Sequence, residues 1–432
     1  MKKQPNILFR RIFSTSILFL IFFIGIQING YSTNNILNDT IGYNSYKGIV
    51  VESNSKKPLV FASITVNGTN ISTVTNSNGE FLLKVPKKMR KNNITVSFLG
   101  YTSQIINLSD FDKGENRIEL ETYVEELSEV EITTKDAPSL VREVIKRRGQ
   151  NYFNDHNTMT AFYRETIKKR KTYVSLSEAI VLIYKQPYTS GKGDVLQLHK
   201  SRKSTDYDKL DTIALKHRGG PHTTVYMDVM KKPALLFTDE IFNNYNFTFD
   251  TSTKIDNRVI YVVNFKQKRI VEDPLFYGKL FIDAQTLALT SAQFQLDLSD
   301  VRKASEFFIL RKPSRARVNP IEAKYYVKYS EKGGKWYHSY SRVQLGFKIK
   351  WDKKLFNSIY YSTMELAVTD WVKEDYAKVK MKDRLKSSVF MSDEASGFSD
   401  PEFWGEYNLI EPEKPIESAI KKIQKELKKI NS

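Results

Sequence analysis

Short alternating apolar runs, separated by turn residues, fill the stretch from Lys47 to Leu120. Every second side chain between residues 60 and 66 is apolar, which places these groups on one face of a strand. Asn67-Gly68 and Asn78-Gly79 tolerate the positive φ that tight hairpin turns require. Strands of this length and spacing are typical of a β-sandwich. The pattern predicts seven short antiparallel strands, at about residues 47–52, 60–67, 70–75, 80–85, 93–99, 102–108 and 117–121.

The turn residues of this stretch also carry a family resemblance. They are Gly48, Pro58-Leu59, Asn67-Gly68-Thr69, Asn76, Gly79-Glu80-Phe81 and Phe98-Leu99-Gly100-Tyr101. The stretch resembles the carboxypeptidase-regulatory-like (transthyretin-like) domain, which is common in bacterial envelope proteins, including many TonB-dependent outer-membrane receptors. The resemblance implies a domain at residues 47–121 that contributes shape and carries no catalytic residue.

The N-terminus has the pattern of a secretory signal peptide. Basic residues precede an apolar run from Ile12 to Ile28, and a small polar segment follows it. We therefore expect a signal peptide at residues 1–30, a flexible leader at 31–46, and a periplasmic or outer-membrane-associated protein. An uncleaved N-terminal anchor is the alternative, because about 17 apolar residues is the lower limit for a membrane span.

Charge and cysteine content narrow the classes of partner and chemistry. The chain has 67 Lys and Arg residues against 49 Asp and Glu residues, a formal net charge of +18. That balance favours anionic partners such as lipid head groups or acidic glycans, although a basic surface can also serve solubility alone. Nucleic acid is disfavoured because we expect export. The absence of cysteine excludes disulfides, thiol catalysis and cysteine-ligated zinc.

The second half of the chain predicts a larger β-rich domain. Long β-like runs recur from residue 158 to residue 371, and an amphipathic helix is predicted over 138–153. The predicted fold class is mainly β, with the N-terminal seven-stranded β-sandwich followed by a C-terminal curved antiparallel sheet with flanking helices. The predicted segments are a linker at 122–137, a half-barrel-like domain at 138–410 with a polar insertion at 185–257, and an amphipathic C-terminal helix at 411–432. We expect the insertion to pass over the sheet as a lid or surface excursion.

One hairpin in this half suggests a lipid ligand. Residues Tyr277 to Leu289 have the glycine, alternating apolar, aspartate and threonine pattern of a hairpin in lipoprotein-carrier (LolA/LolB-like) half-barrels. The resemblance implies an acyl-binding sheet, whereas a plain meander sheet would give the same pattern. The candidate ligand-binding residues are Tyr261, Phe281, Phe294, Tyr325 and Tyr326, and core packing is the alternative for each.

Known catalytic motifs are missing from the sequence. Five histidines occur, without a His-Glu-x-x-His motif, and the chain has no Gly-x-Ser-x-Gly elbow or nucleotide-binding glycine loop. His217 and His222 flank a Gly-Gly-Pro turn and could share an ion only if that loop folds back. Carboxylate pairs such as Glu125/Glu126 lie in charged connectors. We therefore predict no catalytic residue, no metal site and no cofactor.

The sequence favours a non-enzymatic exported envelope protein with a binding or assembly role, holding an apolar or glycan ligand. The expected partners are a lipid, a glycan or another envelope protein, with peripheral membrane contact. Two alternatives stay open, a hydrolase acting on envelope polymers and an accessory protein of a TonB-dependent transporter. The oligomeric state does not follow from the sequence.

Overall fold

The first folded region of the chain is a β-sandwich. The computed structural model describes residues 42–111, 116–123, 136–205, 219–255, 258–268, 274–308, 316–352, 355–373, 379–391, 396–397, 403–413 and 416–418. The sandwich strands are β1 (Tyr43–Glu52), β2 (Ser63–Val66), β3 (Ser72–Val74), β4 (Glu80–Pro86), β5 (Asn93–Ser97), β6 (Gln104–Asn107) and β7 (Asn116–Leu120). One sheet has the order β4-β1-β7 and the other β3-β2-β5-β6. The predicted seven-stranded sandwich is confirmed.

The two small sheets share one apolar core, and a glycine closes one edge of it. Val50 and Leu83 from the first sheet pack in the same cluster as Ile64 and Val96 from the second. Gly79 has φ +78°, and a Cβ there would lie 2.5 Å from the Val50 carbonyl oxygen. This position needs glycine because the backbone is in a left-handed conformation and has no room for a side chain. One strand pairing differs from the expected antiparallel pattern, since β1 and β7 run parallel.

The second half forms one large sheet. Its strands are β8 (Asn157–Lys169), β9 (Thr172–Lys185), β10 (Val195–Thr205), β11 (Tyr245–Ile255), β12 (Arg258–Gln267), β13 (Phe276–Asp283), β14 (Leu289–Leu296), β15 (Ala316–Lys332), β16 (Lys335–Trp351), β17 (Ser358–Val372) and β18 (Ser396–Gly397). Their order is β11-β12-β13-β14-β15-β16-β17-β8-β9-β10-β18. Every neighbouring pair is antiparallel except β10 and the two-residue β18. The predicted fold class, a mainly β chain with a second antiparallel sheet, is confirmed.

The insertion at residues 185–257 is not only an excursion over the sheet. Strands β10 and β11 both lie within it, and both are hydrogen-bonded members of the large sheet. The expectation of a lid is therefore wrong for these two segments. The alternation of Tyr245, Phe247 and Phe249 was the sequence signal for β11, because it places three aromatic side chains on one face.

Short helices cover one face of the large sheet. They are α1 (Ala137–Lys146), α2 (Arg148–Asn151), α3 (Pro221–Tyr226), α4 (Asp239–Asn243) and α5 (Val301–Phe308), with 3₁₀ turns at Lys87–Met89, Leu108–Asp110, Pro233–Leu235 and Met381–Asp383. Asp136 caps α1 by accepting the Ser139 N–H. Leu140 and Val144 of α1 lie in a large apolar core together with inward-facing residues of the sheet, such as Val263.

A β-bulge changes which face several predicted residues occupy. Ile282 pairs with Leu289, and the preceding residue, Phe281, pairs with Ser291. Thr290 is therefore an extra residue in β14. Simple alternation through residues 286–298 would place Leu289 and Ser291 on one face, and the bulge prevents this. Leu289 belongs to the same apolar core as Phe294, which leaves the odd-numbered residues beyond the bulge on the opposite face.

Residues 403–413 connect the sandwich to the large sheet. The Thr73 hydroxyl of β3 donates to the Leu409 carbonyl over 3.0 Å, and Arg164 of β8 donates to the Ile410 carbonyl over 2.8 Å. The Asn408 side-chain amide accepts the Lys84 backbone N–H and donates to the Lys84 carbonyl. It thus takes the place of the backbone of a neighbouring strand. The segment is therefore bonded to both parts of the fold at once.

Several predicted segments lie outside the described residues. These are the signal peptide at 1–30, most of the leader at 31–46, most of the linker at 122–137, and most of the C-terminal helix at 411–432. The flexible-leader prediction is wrong for residues 43–46, because they belong to β1 and pair with β4. Residues 416–418 are helical, and Ile416 is buried. In the part of the chain that the structure describes, no helix has the length and apolar character needed to cross a membrane.

Candidate functional site

A cavity of about 800 Å³ lies between the sandwich and the large sheet. Val60, Phe61 and Phe98 of the sandwich form its roof, and residues from six adjacent strands, β11 to β16, form its floor. The floor belongs to the sheet face opposite the helices. Cavities of several hundred Å³ at the junction of two folded parts are common ligand sites.

The floor consists of two rows of polar side chains that cross the strands. The first, the Lys279 row, contains Thr248, Asn264, Lys279, Gln293, Tyr326 and Arg342, each in register with the next. The second, the Lys324 row, contains Asn246, Lys266, Tyr277, Gln295, Lys324 and Gln344. In it Asn246 pairs with Lys266, and Tyr277, Gln295, Lys324 and Gln344 pair in succession. Both rows offer hydrogen-bonding groups along nearly their whole length.

Strand alternation explains why the floor is polar. In β14, Phe294 lies in the apolar core while its neighbours Gln293 and Gln295 line the cavity. In β16, Val343 likewise packs in the core while Arg342 and Gln344 line the cavity. Successive side chains in a strand point to opposite faces of the sheet. An apolar residue in the core therefore leaves both of its neighbours on the cavity face, and in these two strands both neighbours are polar.

The lining is positively charged. It contains four cationic residues, Lys266, Lys279, Lys324 and Arg342, and its residues include no carboxylate. Carboxylates outside the lining pair with three of them, at 2.7 Å for Lys279–Asp250, 3.5 Å for Lys324–Glu322 and 2.9 Å for Arg342–Glu365. The Lys279 ammonium, through its hydrogen bond, lowers the pKa of Asp250 to about 2. Among the described residues, no carboxylate pairs with the exposed Lys266.

Phe61 closes the cavity on one side in a strained conformation. Its φ is +65°, a region that side chains larger than glycine rarely adopt. Its ring stacks on Tyr326 at 5.8 Å and on Tyr340 at 4.9 Å, and the Arg342 guanidinium lies 5.0 Å from the ring centroid. Backbone strain of this kind persists only where surrounding contacts hold it, and it is concentrated at functional sites.

A second junction holds the other side of the cavity roof. The Gly100 N–H donates to the Lys254 carbonyl at the end of β11 over 2.8 Å. Leu99 packs against a small apolar cluster on the sheet, formed by Ile260, Val262 and Phe281. The roof is therefore attached to the sheet on both sides, at Phe61 and at Leu99-Gly100.

Arg342, a lining residue, has one buried donor without a partner. Its Nη1 atom donates to Glu365 over 2.9 Å, and the Tyr340 hydroxyl donates to the same carboxylate oxygen over 2.9 Å. The Nε atom of Arg342 is buried and has no hydrogen-bond partner among the described residues. Such a donor is costly to leave without a partner, so a water molecule or a ligand acceptor would stabilise it.

The five residues suggested by the sequence occupy different environments. Tyr326 lines the cavity and stacks on Phe61. Phe294 and Tyr325 border the cavity, and their rings stack on each other at 5.2 Å in or against the apolar core. Tyr261 is buried in that core, and Phe281 packs against Leu99. Their ligand-binding role stays a prediction. The alternating Gln293 and Gln295, which the sequence reasoning did not select, were the available signal for the floor.

Two buried charge clusters lie outside the cavity. Lys185 donates to Asp194 over 2.8 Å and to Asp228 over 2.6 Å. Burial lowers the pKa of the neighbouring His338 to about 4. Each charge has an opposite partner and both carboxylates accept further hydrogen bonds, as a structural cluster requires.

The second cluster lies under residues 403–413. Glu178 accepts hydrogen bonds from Arg164 and Arg202, each over 2.8 Å, and all three side chains are almost fully buried. The two guanidinium groups hold the pKa of Glu178 below its usual value despite the opposing effect of burial. Within the described ranges, no group of three or more histidine or acidic residues could hold a metal ion. His217 lies outside those ranges, and the His222 Nε2 atom is 2.9 Å from the Leu385 carbonyl oxygen.

The sequence of the first folded region matches a known family. Residues 46–132 match the family described as the CarboxypepD_reg-like domain. The sandwich is a carboxypeptidase-regulatory-like domain. The recognition of this domain from its turn residues is confirmed, and the regulatory-like domain supplies the whole roof of the cavity. A search of curated proteins finds no match to the chain.

Solved structures resemble the chain at low sequence identity. A LolA superfamily protein from Nitrosomonas europaea is 10% identical, the alignment covers 56% of this chain and 96% of that protein, and the TM-score is 0.19. A DUF1329 family protein from Desulfovibrio piger is 10% identical, with 57% and 96% covered and a TM-score of 0.24. A lipovitellin structure is 8% identical, with 53% and 26% covered and a TM-score of 0.24. At these TM-scores, nothing about the ligand of this chain follows from the similarities.

Proposed function

We propose that the chain is a non-enzymatic ligand-binding protein of the bacterial envelope, and that its ligand occupies the cavity between the regulatory-like domain and the large sheet. The observation that carries this proposal is the two-row polar floor under an aromatic roof. A polar sheet face that lies under a roof, with space between the two, offers many hydrogen-bonding groups to one ligand.

The N-terminal sequence pattern supports the envelope part of the proposal. The basic and apolar pattern of residues 1–30 is typical of a secretory signal, and the regulatory-like domain is common in envelope proteins. A binding role is favoured over the hydrolase alternative because the lining, in the part of the chain that the structure describes, contains no carboxylate or histidine that could act as a general acid or base.

Filling the cavity tests the proposal. Gln293 is exposed at the floor, so Gln293→Trp would occupy ligand space without removing a core contact. Lys348→Trp is the matched control, because Lys348 is exposed on β16 of the same sheet and lies outside the lining. The wild-type protein and both variants would be purified from envelope fractions under native conditions and analysed by native mass spectrometry.

We expect a bound non-protein molecule on the wild type and on Lys348→Trp, and its loss from Gln293→Trp. Equal adducts on all three proteins would place the bound molecule outside the cavity and contradict the proposal. Turnover of an envelope polymer by the purified wild type, with no adduct, would favour the hydrolase alternative.

A further inference from the structure

We propose that the cavity binds a linear acidic glycan that lies across the strands of the large sheet. This inference rests on the proposed function and specifies the class of ligand. Three features of the lining carry it, namely its charge, its amide groups and the direction of its two rows.

The charge of the lining selects an anionic guest. Lys266 is exposed at the cavity, and no described carboxylate neutralises it. Arg342 lines the same cavity, and its guanidinium is already paired with Glu365. A lysine without a paired acid, in a lining whose described residues include no carboxylate, favours carboxylate, sulfate or phosphate groups.

The amide groups of the lining favour hydroxyl-rich guests. They are Asn246, Asn264, Gln293, Gln295 and Gln344. Each primary amide has a carbonyl acceptor and two N–H donors, and a sugar hydroxyl likewise donates and accepts. The Asn264 side chain already hydrogen-bonds Asp250. An acyl chain would offer no hydrogen-bond partner to the other amides that it covers, which disfavours a purely apolar ligand in this cavity.

The two rows give the guest a direction. Neighbouring strands are spaced about 4.8 Å apart, so a row over six strands is roughly 24 Å long. The repeat of a glycan chain per sugar ring is close to this spacing, so successive rings can meet successive strands. A peptide that binds by strand addition needs a free sheet edge, whereas the backbone under this floor is already paired. The exposed ring of Tyr277 adds an apolar face against which a sugar ring can pack.

Titration with defined oligosaccharides tests this inference. The acidic probes are the hexasaccharides of galacturonate, mannuronate and hyaluronan, and the uncharged probes are methyl-esterified hexagalacturonate and cellohexaose. Isothermal titration calorimetry would be run on the full chain at low and moderate salt. The variants are Lys266→Gln and Gln293→Ala, and Lys348→Gln is the control outside the lining.

We expect at least one acidic probe to bind about tenfold more tightly than its uncharged counterpart, and to weaken as salt rises. Lys266→Gln should weaken that binding several-fold and reduce its salt dependence. Gln293→Ala should weaken it with the salt dependence unchanged, and Lys348→Gln should match the wild type.

Two outcomes overturn the glycan inference. One is equal binding of acidic and uncharged probes, and the other is the absence of binding by every hexasaccharide. If the wild type then still carries an envelope molecule that Gln293→Trp loses, the proposed binding function stands and only the ligand class is wrong. If no such molecule is found either, both proposals are wrong.

Discussion

The ring of Phe61, in the regulatory-like domain, stacks on the ring of Tyr340, in the large sheet, with centroids 4.9 Å apart and planes inclined by 28°. The two residues are distant in sequence, and their contact joins the two parts of the fold beside the cavity. The Lys328 ammonium adds a 2.7 Å hydrogen bond to Ser63 close by. The position of the cavity roof therefore depends on a contact made by a residue with positive φ.

The strain at Phe61 predicts an unusual order of stability between two variants. Both Phe61→Ala and Phe61→Gly lose the ring contacts, but only glycine adopts a φ of +65° without steric cost. We expect Phe61→Gly to be more stable than Phe61→Ala by about 1 kcal/mol in urea unfolding. Phe98, also in the roof, lacks a positive φ. The control is therefore the pair Phe98→Ala and Phe98→Gly, in which glycine should give no gain in stability over alanine. The opposite order at Phe61, with alanine more stable, would show that its backbone is not strained.

The charge cluster under residues 403–413 predicts a large effect of one carboxylate. Glu178→Gln leaves the buried guanidinium groups of Arg164 and Arg202 without their counter-ion. Removing one partner of a buried ion pair typically costs about 3–5 kcal/mol, so we expect the free energy of unfolding to fall by that amount. Glu119→Gln is the control, because its ion pairs with Lys56 and Arg117 are largely exposed and should contribute little to stability. Similar losses for both variants in guanidinium unfolding would contradict this account.

A buried acid predicts a stability change with pH. Burial raises the pKa of Glu165 from 4.5 to about 7, although the Tyr163 hydroxyl donates to it over 2.8 Å. Below pH 4.5 the group is protonated in both the folded and the unfolded state and has no effect. As the pH rises from 4.5 to 7 the unfolded state releases the proton first, so the folded state loses stability relative to it. The destabilisation is complete above pH 7.

Glu165→Gln should remove that destabilisation. We expect the variant to exceed the wild type by about 3 kcal/mol at pH 8, because each unit of pKa difference corresponds to about 1.4 kcal/mol. The two proteins should be equally stable near pH 4. The exposed Glu240→Gln serves as the control for the substitution itself. A constant difference for Glu165→Gln, measured by urea unfolding from pH 4 to pH 8, would show that Glu165 does not titrate in this way.

Local sequence signals were sufficient to predict the strands and turns of the sandwich. Its strands are short and its turns are marked by residues with a specific backbone requirement, such as Gly79. The hairpin at Asp283 was readable for the same reason. The Asp283 carboxylate accepts the backbone N–H groups of Gln285 and Thr286, and it also accepts the Thr286 hydroxyl. Aspartate and threonine at these positions form the turn itself.

Long-range contacts were beyond the reach of the same signals. Strand β10 has few apolar residues, because it lies near one end of the large sheet, so its membership of that sheet was missed. The alternation of Gln293 and Gln295 is visible in the sequence, but a polar strand face is usually a solvated surface. Long-range contacts with the sheet, such as those of Phe61 and Leu99, turn this face into a cavity floor.

Hydrogen–deuterium exchange on the full-length wild type, with and without a protein-free envelope extract, tests most directly whether a ligand binds between the regulatory-like domain and the large sheet. We predict that the extract slows exchange of the roof around residues 60–61 and 98–101, and that Gln293→Trp abolishes this protection. We also predict that Lys348→Trp retains it. Protection that is confined to one part of the fold away from the roof, or that persists in Gln293→Trp, would contradict a ligand site between the regulatory-like domain and the sheet.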